Sequence, residues 1–245
     1  MTEPTATRLG VRPLTARSAI LSVLLGAHPP EAAGSSIVRW GRGVGVSEQA
    51  VRVALTRMVA TGDLEREDSV YRLSERLLAR QRRQDRALEL RPVAWDGTWH
   101  MAVVTAVGAD AARRADVRQR MLADRFGELR EGVWARPANL GWQPGPDLSS
   151  SLEVFTATPD GLSAGGLSAS LFDLDSWAGT ARDLSTALEA SDDLAERIAV
   201  AAAIVRHLVT DPLLPPELQP SDWPGPELHA TYAQFRAELI ALAAQ

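Results

Sequence analysis

Short polar and cationic side chains recur at helical spacing in residues 47–57, and they are chemically suited to contact duplex DNA. Ser47 is a good helix N-cap, and no Gly or Pro interrupts residues 48–60. One helix face is apolar and comprises Val51, Ala54, Leu55, Met58 and Val59. The opposite face carries short side chains flanked by two guanidiniums, namely Gln49, Val53 and Thr56 with Arg52 and Arg57. This arrangement predicts a recognition helix, with an ordinary amphipathic surface helix as the alternative.

The segments around this helix predict the rest of a winged helix-turn-helix. Thr15 can cap a helix over 16–27, and Ser35 or Ser36 begins a short helix ending near residue 40. The glycines at 41–45 form a turn before the recognition helix, and Gly62 ends that helix. Ser47 would then direct the N-terminal amides of the recognition helix toward a phosphate.

Two extended runs, 64–66 and 70–73, predict the hairpin of the wing. Tyr71 and Leu73 should face the core, while Arg72 should point outward. Arg66 and Arg72 are therefore candidate wing contacts with DNA. The acidic tip Glu67-Asp68 argues against deep entry into the minor groove.

The distribution of charge favours a nucleic-acid partner for the N-terminal part alone. The chain of 245 residues carries a net charge of −5, and all 26 of its Lys and Arg residues are arginine. Residues 1–92 hold 15 arginines and 10 acidic residues, whereas residues 93–245 hold 11 arginines and 21 acidic residues. A basic module joined to an acidic remainder is expected of a regulator with a separate sensing or dimerising part.

Composition narrows the class of protein further. The absence of cysteine excludes disulfides, thiolate zinc sites and cysteine nucleophiles. No apolar run approaches the 18 residues of a membrane span, and the run after Arg17 is too short and too late for a signal peptide. We therefore expect a cytoplasmic protein with no membrane partner.

The remaining polar groups do not assemble a catalytic centre. None of the four histidines has the spacing of a metal site, and Gly41–Gly45 lacks the preceding strand of a dinucleotide fingerprint. The pair Asp173 and Asp175 could hold a divalent cation, although solvated acids beside a buried segment are the favoured interpretation. We expect no enzyme activity, no metal and no cofactor.

The second half of the chain predicts an α+β middle domain and a helical C-terminal domain. A charged helix over 74–88, more a solvated connector than a DNA contact, ends before Pro92. The order of a strand at 99–107, a helix at 110–124 and strands at 129–135 and 152–158 suggests a ferredoxin-like unit, with 160–174 left unassigned.

Helices follow at 176–189, after a capping box at Asp193–Glu196, and at 227–243. The second should bury Leu194, Ile198, Ala202, Val205 and Leu208. The predicted domains are 1–91, 92–175 and 176–245.

Four segments together resemble the PaaX family of bacterial transcriptional repressors, which control phenylacetate catabolism and respond to phenylacetyl-coenzyme A. They are Leu14–Ser18, Ser47–Arg57, Trp95–Trp99 with Gly132–Trp134, and Arg206-His207 through Asp211–Pro215 to Trp223–Gly225. The resemblance implies a winged-helix N-terminal domain, a ferredoxin-like middle domain, a helical C-terminal domain, a homodimer, and release from the operator by an acyl-CoA.

Two features depart from the family pattern or leave its ligand open. The first middle strand continues as Val104–Gly108, where the family has an aromatic residue, an Asp and an Ile-Pro-Glu-like turn. The middle domain also resembles the small nuclease of CRISPR spacer acquisition, but Thr105 stands where that nuclease needs an acidic residue. An acyl-CoA sensor needs arginines for the phosphates and an apolar slot for the acyl group. The candidate arginines are Arg113, Arg114, Arg118 and Arg120, and the candidate walls of the slot are Trp134, Trp142 and Phe155. A solvated helix face and packed aromatics are the alternative for these residues.

The resulting hypothesis is a homodimeric repressor of a catabolic operon that binds an inverted-repeat operator and a small-molecule effector. One alternative is a winged-helix adaptor or architectural protein without an effector. A less favoured alternative is a nucleic-acid-processing enzyme built on the ferredoxin-like domain.

Overall fold

The computed structural model describes residues 11, 13–89, 92–105, 111–160 and 163–243, and it confirms the predicted α+β fold class. The chain divides into two units. The first comprises Met1–Leu88, Thr180–Leu208 and Pro226–Gln245, and the second comprises Glu89–Gly179 and Val209–Gly225. This division does not test the three predicted domain boundaries, which stay predictions.

Three helices form the N-terminal core of the first unit: α1 (Ala16–Gly26), α2 (Gly34–Gly43) and α3 (Glu48–Ala60). The predicted cap of α1 is present as a reciprocal pair, because the Ser18 amide donates to Thr15 Oγ1 at 3.1 Å and the Thr15 amide donates to Ser18 Oγ at 3.4 Å. The apolar faces of the three helices share one core, which includes Ile20, Leu24, Ile37, Val51, Leu55 and Met58.

A three-stranded antiparallel sheet completes this core, in the order β1 (Glu31–Ala33), β3 (Val70–Leu73), β2 (Leu64–Glu67). The sequence predicted β2 and β3 but not β1, because three residues are too few to show a period of two. The predicted directions are confirmed: Leu73 is buried, Tyr71 packs against the core, and Arg72 is exposed.

Helix α2 is longer than the sequence indicated, since it runs past Trp40 to Gly43. Gly41 lies inside the helix and is buried against α3, where any Cβ on it would overlap Val51 Cγ2. Glycine therefore serves here for close helix packing, whereas the sharp turn is made by Gly45, whose φ is +76°. The prediction that residues 41–45 form only a turn was wrong for this reason.

A buried carboxylate fixes the segment after α3. Asp63 is 6% exposed and accepts hydrogen bonds from Arg17 on α1, at 2.9 Å, and from Arg76 on α4 (Glu75–Glu89). Gln81 of α4 is also buried, and its Nε2 donates to the carbonyls of Leu25 and Ala27 at 2.9 and 3.1 Å. The charged connector helix is therefore packed against α1 along one side.

Two long C-terminal helices belong mainly to the first unit: α9 (Leu194–Leu208) and α10 (Gly225–Ala243). Arg197 joins them, with its guanidinium 2.9 Å from Glu238 and stacked over Phe235. The buried face of α9 comprises Ile198, Ala201, Ile204, Val205 and Leu208.

Two sequence predictions for α9 were wrong. Ala202 is exposed, and Ala201 occupies the buried face in its place. The capping box is not formed as predicted: Asp193 Oδ1 accepts from the Ala195 amide at 2.9 Å, while the Glu196 carboxylate accepts from the Ser191 hydroxyl at 2.8 Å.

The second unit contains a four-stranded antiparallel sheet with helices against both of its faces. Its elements are β4 (Trp99–Val104), α5 (Ala111–Ala123), β5 (Gly127–Arg130), β6 (Val133–Pro137), α6 (Pro146–Ser149) and β7 (Leu152–Ala157). The strand order β5-β6-β4-β7 places β6 between β4 and β5, which are joined through α5. This split crossover is the arrangement predicted for a ferredoxin-like unit.

The single strand predicted at 129–135 was wrong. Glu131 and Gly132 form a turn between β5 and β6, and the φ of Gly132 is +75°. The predicted end of the first strand at Val107 and the predicted start of the helix at Asp110 lie outside the described residues.

The two faces of this sheet are covered by different elements. On one face, Ala102 and Trp134 pack with Val117 and Met121 of α5. On the other, Trp99 and Ala135 pack with Leu167 of α7 (Ala164–Leu171) and with Leu214 and Leu218. Helix α7 accounts for most of the segment 160–174 that the sequence left unassigned.

Asp173 begins the next helix, α8 (Leu174–Ala190). Its Oδ1 accepts from the Ser176 amide at 3.1 Å, and its carbonyl accepts from the Trp177 amide at 3.1 Å. The position therefore serves as a helix cap, and Asp175 lies in the first turn rather than beside it on a strand.

A polar cluster buried in the second unit holds the loop after α9. Arg125 donates to the Asp211 carbonyl, the Leu213 amide donates to Asp211 Oδ1 at 2.8 Å, and Asn139 Nδ2 donates to the Leu213 carbonyl at 2.8 Å. Burial raises the pKa of Asp211, against the opposing effects of the Leu213 amide and Arg125. These bonds hold the loop through the Asp211 side chain and through the backbone of Asp211 and Leu213.

We expect Gly41→Ala to destabilise the first unit, because the added methyl group must displace Val51 on the recognition helix. Overpacking of this kind costs about 1–3 kcal/mol. Gly43→Ala is the matched control in the same helix, since nothing lies within 4 Å of its Cβ position. Chemical denaturation of both variants measures the difference, and equal midpoints would refute the close-packing role of Gly41.

Candidate nucleic-acid interface

Helix α3 has the two faces that its sequence predicted. Ser47 Oγ accepts from the Ala50 amide at 3.3 Å and so caps the helix. Val51, Leu55 and Met58 are buried in the core. The opposite face is open to solvent and comprises Gln49, Arg52, Val53, Thr56 and Arg57.

Val53 is the most informative residue on this open face. Its side chain is apolar, yet 59% of the residue is exposed at the middle of the helix. A thymine methyl group is an apolar partner available in the major groove, and contact with it would remove part of this side chain from water. Its position between Gln49 and Thr56 suits base-edge contact.

Arg52 is held by an acidic residue one turn earlier in the helix. Its Nε and Nη2 both donate to Glu48 Oε1, at 2.9 and 2.7 Å. The same interaction lowers the pKa of Glu48, chiefly through the hydrogen bond and charge of Arg52, with a further contribution from the charge of Arg42. Glu48 is thus ionised near neutral pH and lies in the first turn of α3, where a phosphate would otherwise be favoured.

Two arginines on α2 extend the basic surface, and sequence reasoning missed them. Arg39 and Arg42 are both exposed, and Arg42 is close enough to Glu48 to influence its pKa. In helix-turn-helix proteins the helix before the recognition helix crosses the DNA backbone, so these residues can contact phosphates. Predicting the full length of α2 would have found Arg42.

The wing arginines are engaged within the chain. Arg72 donates to Glu31 at 2.6 Å and to Glu67, and these two carboxylates raise its pKa. Arg66 Nε donates to the Asp68 carbonyl at 2.8 Å, and its guanidinium lies 5.7 Å from the Tyr71 ring centroid. A DNA contact by Arg72 would have to replace two ion pairs, so α2 and α3 are the better supported surface.

The side chains predicted to bind an effector already make contacts within the chain. Arg113 Nη2 donates to Ser151 Oγ at 2.8 Å, and Arg118 pairs with Glu128 while lying 5.5 Å from the Trp134 ring centroid. Trp134 is 2% exposed and belongs to the core beneath α5, so it cannot line an open slot. Arg114 is exposed on the same helix.

A largely open apolar depression elsewhere in the second unit is another candidate for a ligand. It has a volume of about 600 Å³ and is lined by Val93, His100, Ala138, Leu140, Gly141, Trp142 and Gln143. Trp142 is fixed by its Nε1, which donates to Asp124 at 2.8 Å, and by its edge contact with Phe126. Burial, and secondarily the charge of Arg136, lower the pKa of His100, so the depression presents a neutral imidazole at neutral pH.

Within the described residues, no group of three or more His, Asp or Glu side chains could hold a metal ion. None of the described helices combines the length and apolar character needed to cross a bilayer.

Comparisons with known proteins match this architecture along most of the chain. Three family models match: "PaaX-like protein" at residues 15–77, "PaaX protein central Cas2-like domain" at 92–162 and "PaaX-like protein C-terminal domain" at 174–245. The solved structure of the uncharacterized protein Rv0674 from Mycobacterium tuberculosis is 48% identical, with a TM-score of 0.83, over 94% of this chain and 97% of that one.

One relative of this chain is named for its function. The transcriptional repressor PaaX of Escherichia coli (strain K12) is 29% identical over 213 residues, which are 75% of this chain and 66% of the repressor. The match thus spans about two thirds of the repressor's own length.

We expect Glu48→Gln to strengthen binding to duplex DNA of any sequence by about two- to five-fold at low salt, because it removes a negative charge from the edge of the interface. Asp116→Asn is the matched control, since Asp116 is similarly exposed and pairs with Arg120 at the same helical spacing in the second unit. Fluorescence anisotropy with a non-specific duplex measures both. An equal change in the two variants would contradict a position of Glu48 beside DNA.

Proposed function

The chain belongs to the PaaX family, and we propose that it is a DNA-binding transcriptional repressor that acts as a homodimer. This proposal rests on the open face of α3, where short side chains and two arginines are exposed, while Val51, Leu55 and Met58 on the opposite face are buried. The 29% identity to a transcriptional repressor supports the same assignment.

Recognition would divide between the two helices of the helix-turn-helix. Gln49, Val53 and Thr56 have the chemistry to read base edges, and Arg52 can bind guanine through the N–H groups that Glu48 leaves uncommitted. Arg39, Arg42 and Arg57 would supply phosphate contacts, which position the protein without reading sequence. A two-fold dimer requires an inverted-repeat operator whose half-sites are separated by whole turns of about 34 Å.

A small-molecule effector would act by favouring one of two dimer arrangements. An acyl-CoA or a related aromatic metabolite is the effector class implied by the family resemblance. The open depression beside Trp142 is the candidate site, because its volume of about 600 Å³ is large enough for part of such a ligand and its lining is mostly apolar. Ligand bound there would stabilise the arrangement that does not match the operator.

A regulator without an effector is the second candidate, favoured by one observation. Arg113 and Arg118 already bind Ser151 and Glu128. Fewer of their N–H groups are therefore available to bind the phosphates of an acyl-CoA. An adaptor or architectural protein needs only the α2–α3 surface.

Arg52→Ala tests the assignment of the DNA-reading helix. If Arg52 reads a base, the substitution should weaken operator binding by about 1–3 kcal/mol and leave non-specific binding almost unchanged. If it binds only phosphate, affinity should fall on all sequences and the salt slope should drop by about one unit. Arg120→Ala is the matched control, because this arginine forms the equivalent i,i+4 pair in the second unit. Unchanged affinity of Arg52→Ala in both assays would remove this residue from the interface.

A thermal-shift panel of acyl-CoAs, with free coenzyme A as the control, separates sensor from adaptor. A ligand at 100 times its Kd adds about 2.7 kcal/mol of stability. We expect an aromatic or short-chain acyl-CoA to raise the melting temperature and to release operator DNA at the same concentration. No shift across the panel would favour the adaptor.

A further inference from the structure

Five arginines of the first unit form a cluster that the proposed DNA interface does not use. One is on α1, three are on α4 and one is on α9, namely Arg17, Arg76, Arg80, Arg83 and Arg206. The three on α4 are spaced four and three residues apart, so they lie on one face of that helix in successive turns. This arginine cluster joins elements that are distant in the sequence.

A single buried carboxylate holds one end of the arginine cluster. Arg17 and Arg76 both donate to Asp63, and the contact with Arg17 is 2.9 Å long. One negative charge thus brings two guanidiniums together, and the three groups keep a net positive charge. Arg80 follows one turn after Arg76 on α4 and is half-buried.

Arg80 is within electrostatic reach of other members of the cluster. Burial is the first cause of its lowered pKa, and the charges of Arg17, Arg206 and Arg83 lower that pKa further. Across the described residues, no hydrogen bond or ion pair engages the guanidinium of Arg80, Arg83 or Arg206. Arg80 is therefore a cation among cations, and a bound anion would remove this repulsion.

Two acidic residues of α4 do not neutralise the cluster. Glu75 pairs with Arg82 at 2.8 Å, and Asp85 pairs with His28 at 3.2 Å. At about 100° per residue, both carboxylates lie on other sides of α4 from Arg80. They therefore leave the positive charge of the arginine cluster uncompensated.

We propose that the arginine cluster binds a small anion with two or three adjacent phosphates, such as a nucleoside diphosphate or triphosphate. Guanidinium groups bind phosphate oxygens through parallel, charge-assisted N–H donors. The stripe from Arg76 to Arg83 rises about 10 Å along the helix. A stripe of this length is longer than one phosphate and suits a short chain of phosphates.

The position of the cluster favours a small ligand over the backbone of duplex DNA. The Ser74 amide donates to the Asp63 carbonyl at 3.1 Å and closes the base of the β2–β3 hairpin. Arg17 and Arg76 therefore lie at this base, at the opposite end of the hairpin from its acidic tip. Arg80 is also half-buried, so a convex duplex reaches it less readily than a small anion does.

A bound phosphate chain would link α9 to α1 and α4, because its oxygens accept hydrogen bonds from guanidiniums on all three helices. The first unit would gain stability, as from any ligand that binds only the folded state. The inference goes beyond the proposed function, since this site needs neither DNA nor an acyl group.

Calorimetric titration of the full chain with inorganic triphosphate, at fixed ionic strength, tests the site. We expect the double variant Arg80→Gln, Arg83→Gln to bind triphosphate about tenfold more weakly or worse, because charge-assisted contacts are lost. The double variant Arg82→Gln, Arg86→Gln is the matched control, since both residues are exposed on other sides of the same helix and the net charge changes equally. Equal losses in the two double variants, or no binding by the wild type, would overturn the inference.

A second variant keeps the test valid if replacing the half-buried Arg80 disturbs the fold. Arg83→Gln, Arg206→Gln changes two exposed residues only, and circular dichroism checks that it is folded. It should also lose triphosphate affinity about tenfold. Without phosphate and at low ionic strength, its melting temperature should equal or exceed that of the wild type, because two repelling charges are gone. Unchanged triphosphate affinity or a lower melting temperature would contradict the site.

Comparison of inorganic triphosphate with adenosine triphosphate identifies the source of the phosphates. Tighter binding of the nucleotide assigns the site to nucleotides, and equal binding assigns it to phosphate chains alone. Either result supports the site only if affinity falls in the cluster variants.

Duplex affinity, measured in parallel by fluorescence anisotropy, separates this site from the DNA interface. The cluster variants should bind duplex within about twofold of the wild type, because screening weakens charges that lie away from the contact. A loss as large as that of Arg52→Ala, without triphosphate binding, would assign these arginines to the DNA backbone and overturn the inference. A wild-type chain that binds triphosphate but no duplex would instead overturn the proposed function.

Discussion

The carboxylate of Asp63 is the constraint on which the DNA-binding unit depends. It lies just past the end of the recognition helix and binds guanidiniums from α1 and α4, while its backbone carbonyl accepts from the Ser74 amide. The two arginine side chains are 52% and 68% exposed while Asp63 is buried, so losing either guanidinium leaves a poorly solvated carboxylate with one cation fewer to stabilise it. One side chain thereby links the segment after α3 both to the first helix of the unit, α1, and to α4, the helix after the wing.

The local signals in the sequence predicted most of this unit. Ser47, Thr15 and Gly62 mark helix ends through bonds or dihedral angles that depend only on neighbouring residues, and they were found where expected. The errors arose where contacts with residues distant in the sequence determine the local structure. Gly41 lies within a helix because Val51 of another helix leaves no room for a side chain, and nothing near Gly41 in the sequence shows this. Strand β1 exists only through its pairing with β3.

The candidate site was predicted in part for the same reason. Which face of α3 is open follows from its apolar period, so the exposed set could be read from the sequence. Whether an arginine on that face or on the wing is available depends on which carboxylate lies beside it. The sequence pointed to Arg72 as an outward cation, but Glu31 on an unpredicted strand binds it. In the middle domain, Trp134 fits a ligand wall by composition, yet its register partners place it in the core.

The path of the chain between the two units has a consequence for how such proteins can change. The first unit is built from three separate stretches, and the last two contribute α9 and α10. Burial, followed by the charges of Arg17 and then Arg206 of α9, lowers the pKa of Arg80 on α4. Burial, with a smaller contribution from Asp85 of α4, raises the pKa of Tyr232 on α10. A gene fusion that inherited only the first 88 codons would encode the helix-turn-helix without those two helices. The helix-turn-helix is therefore not a module that recombination can transfer with all of its packing partners. We expect new DNA specificities to arise by point substitution on α3 instead.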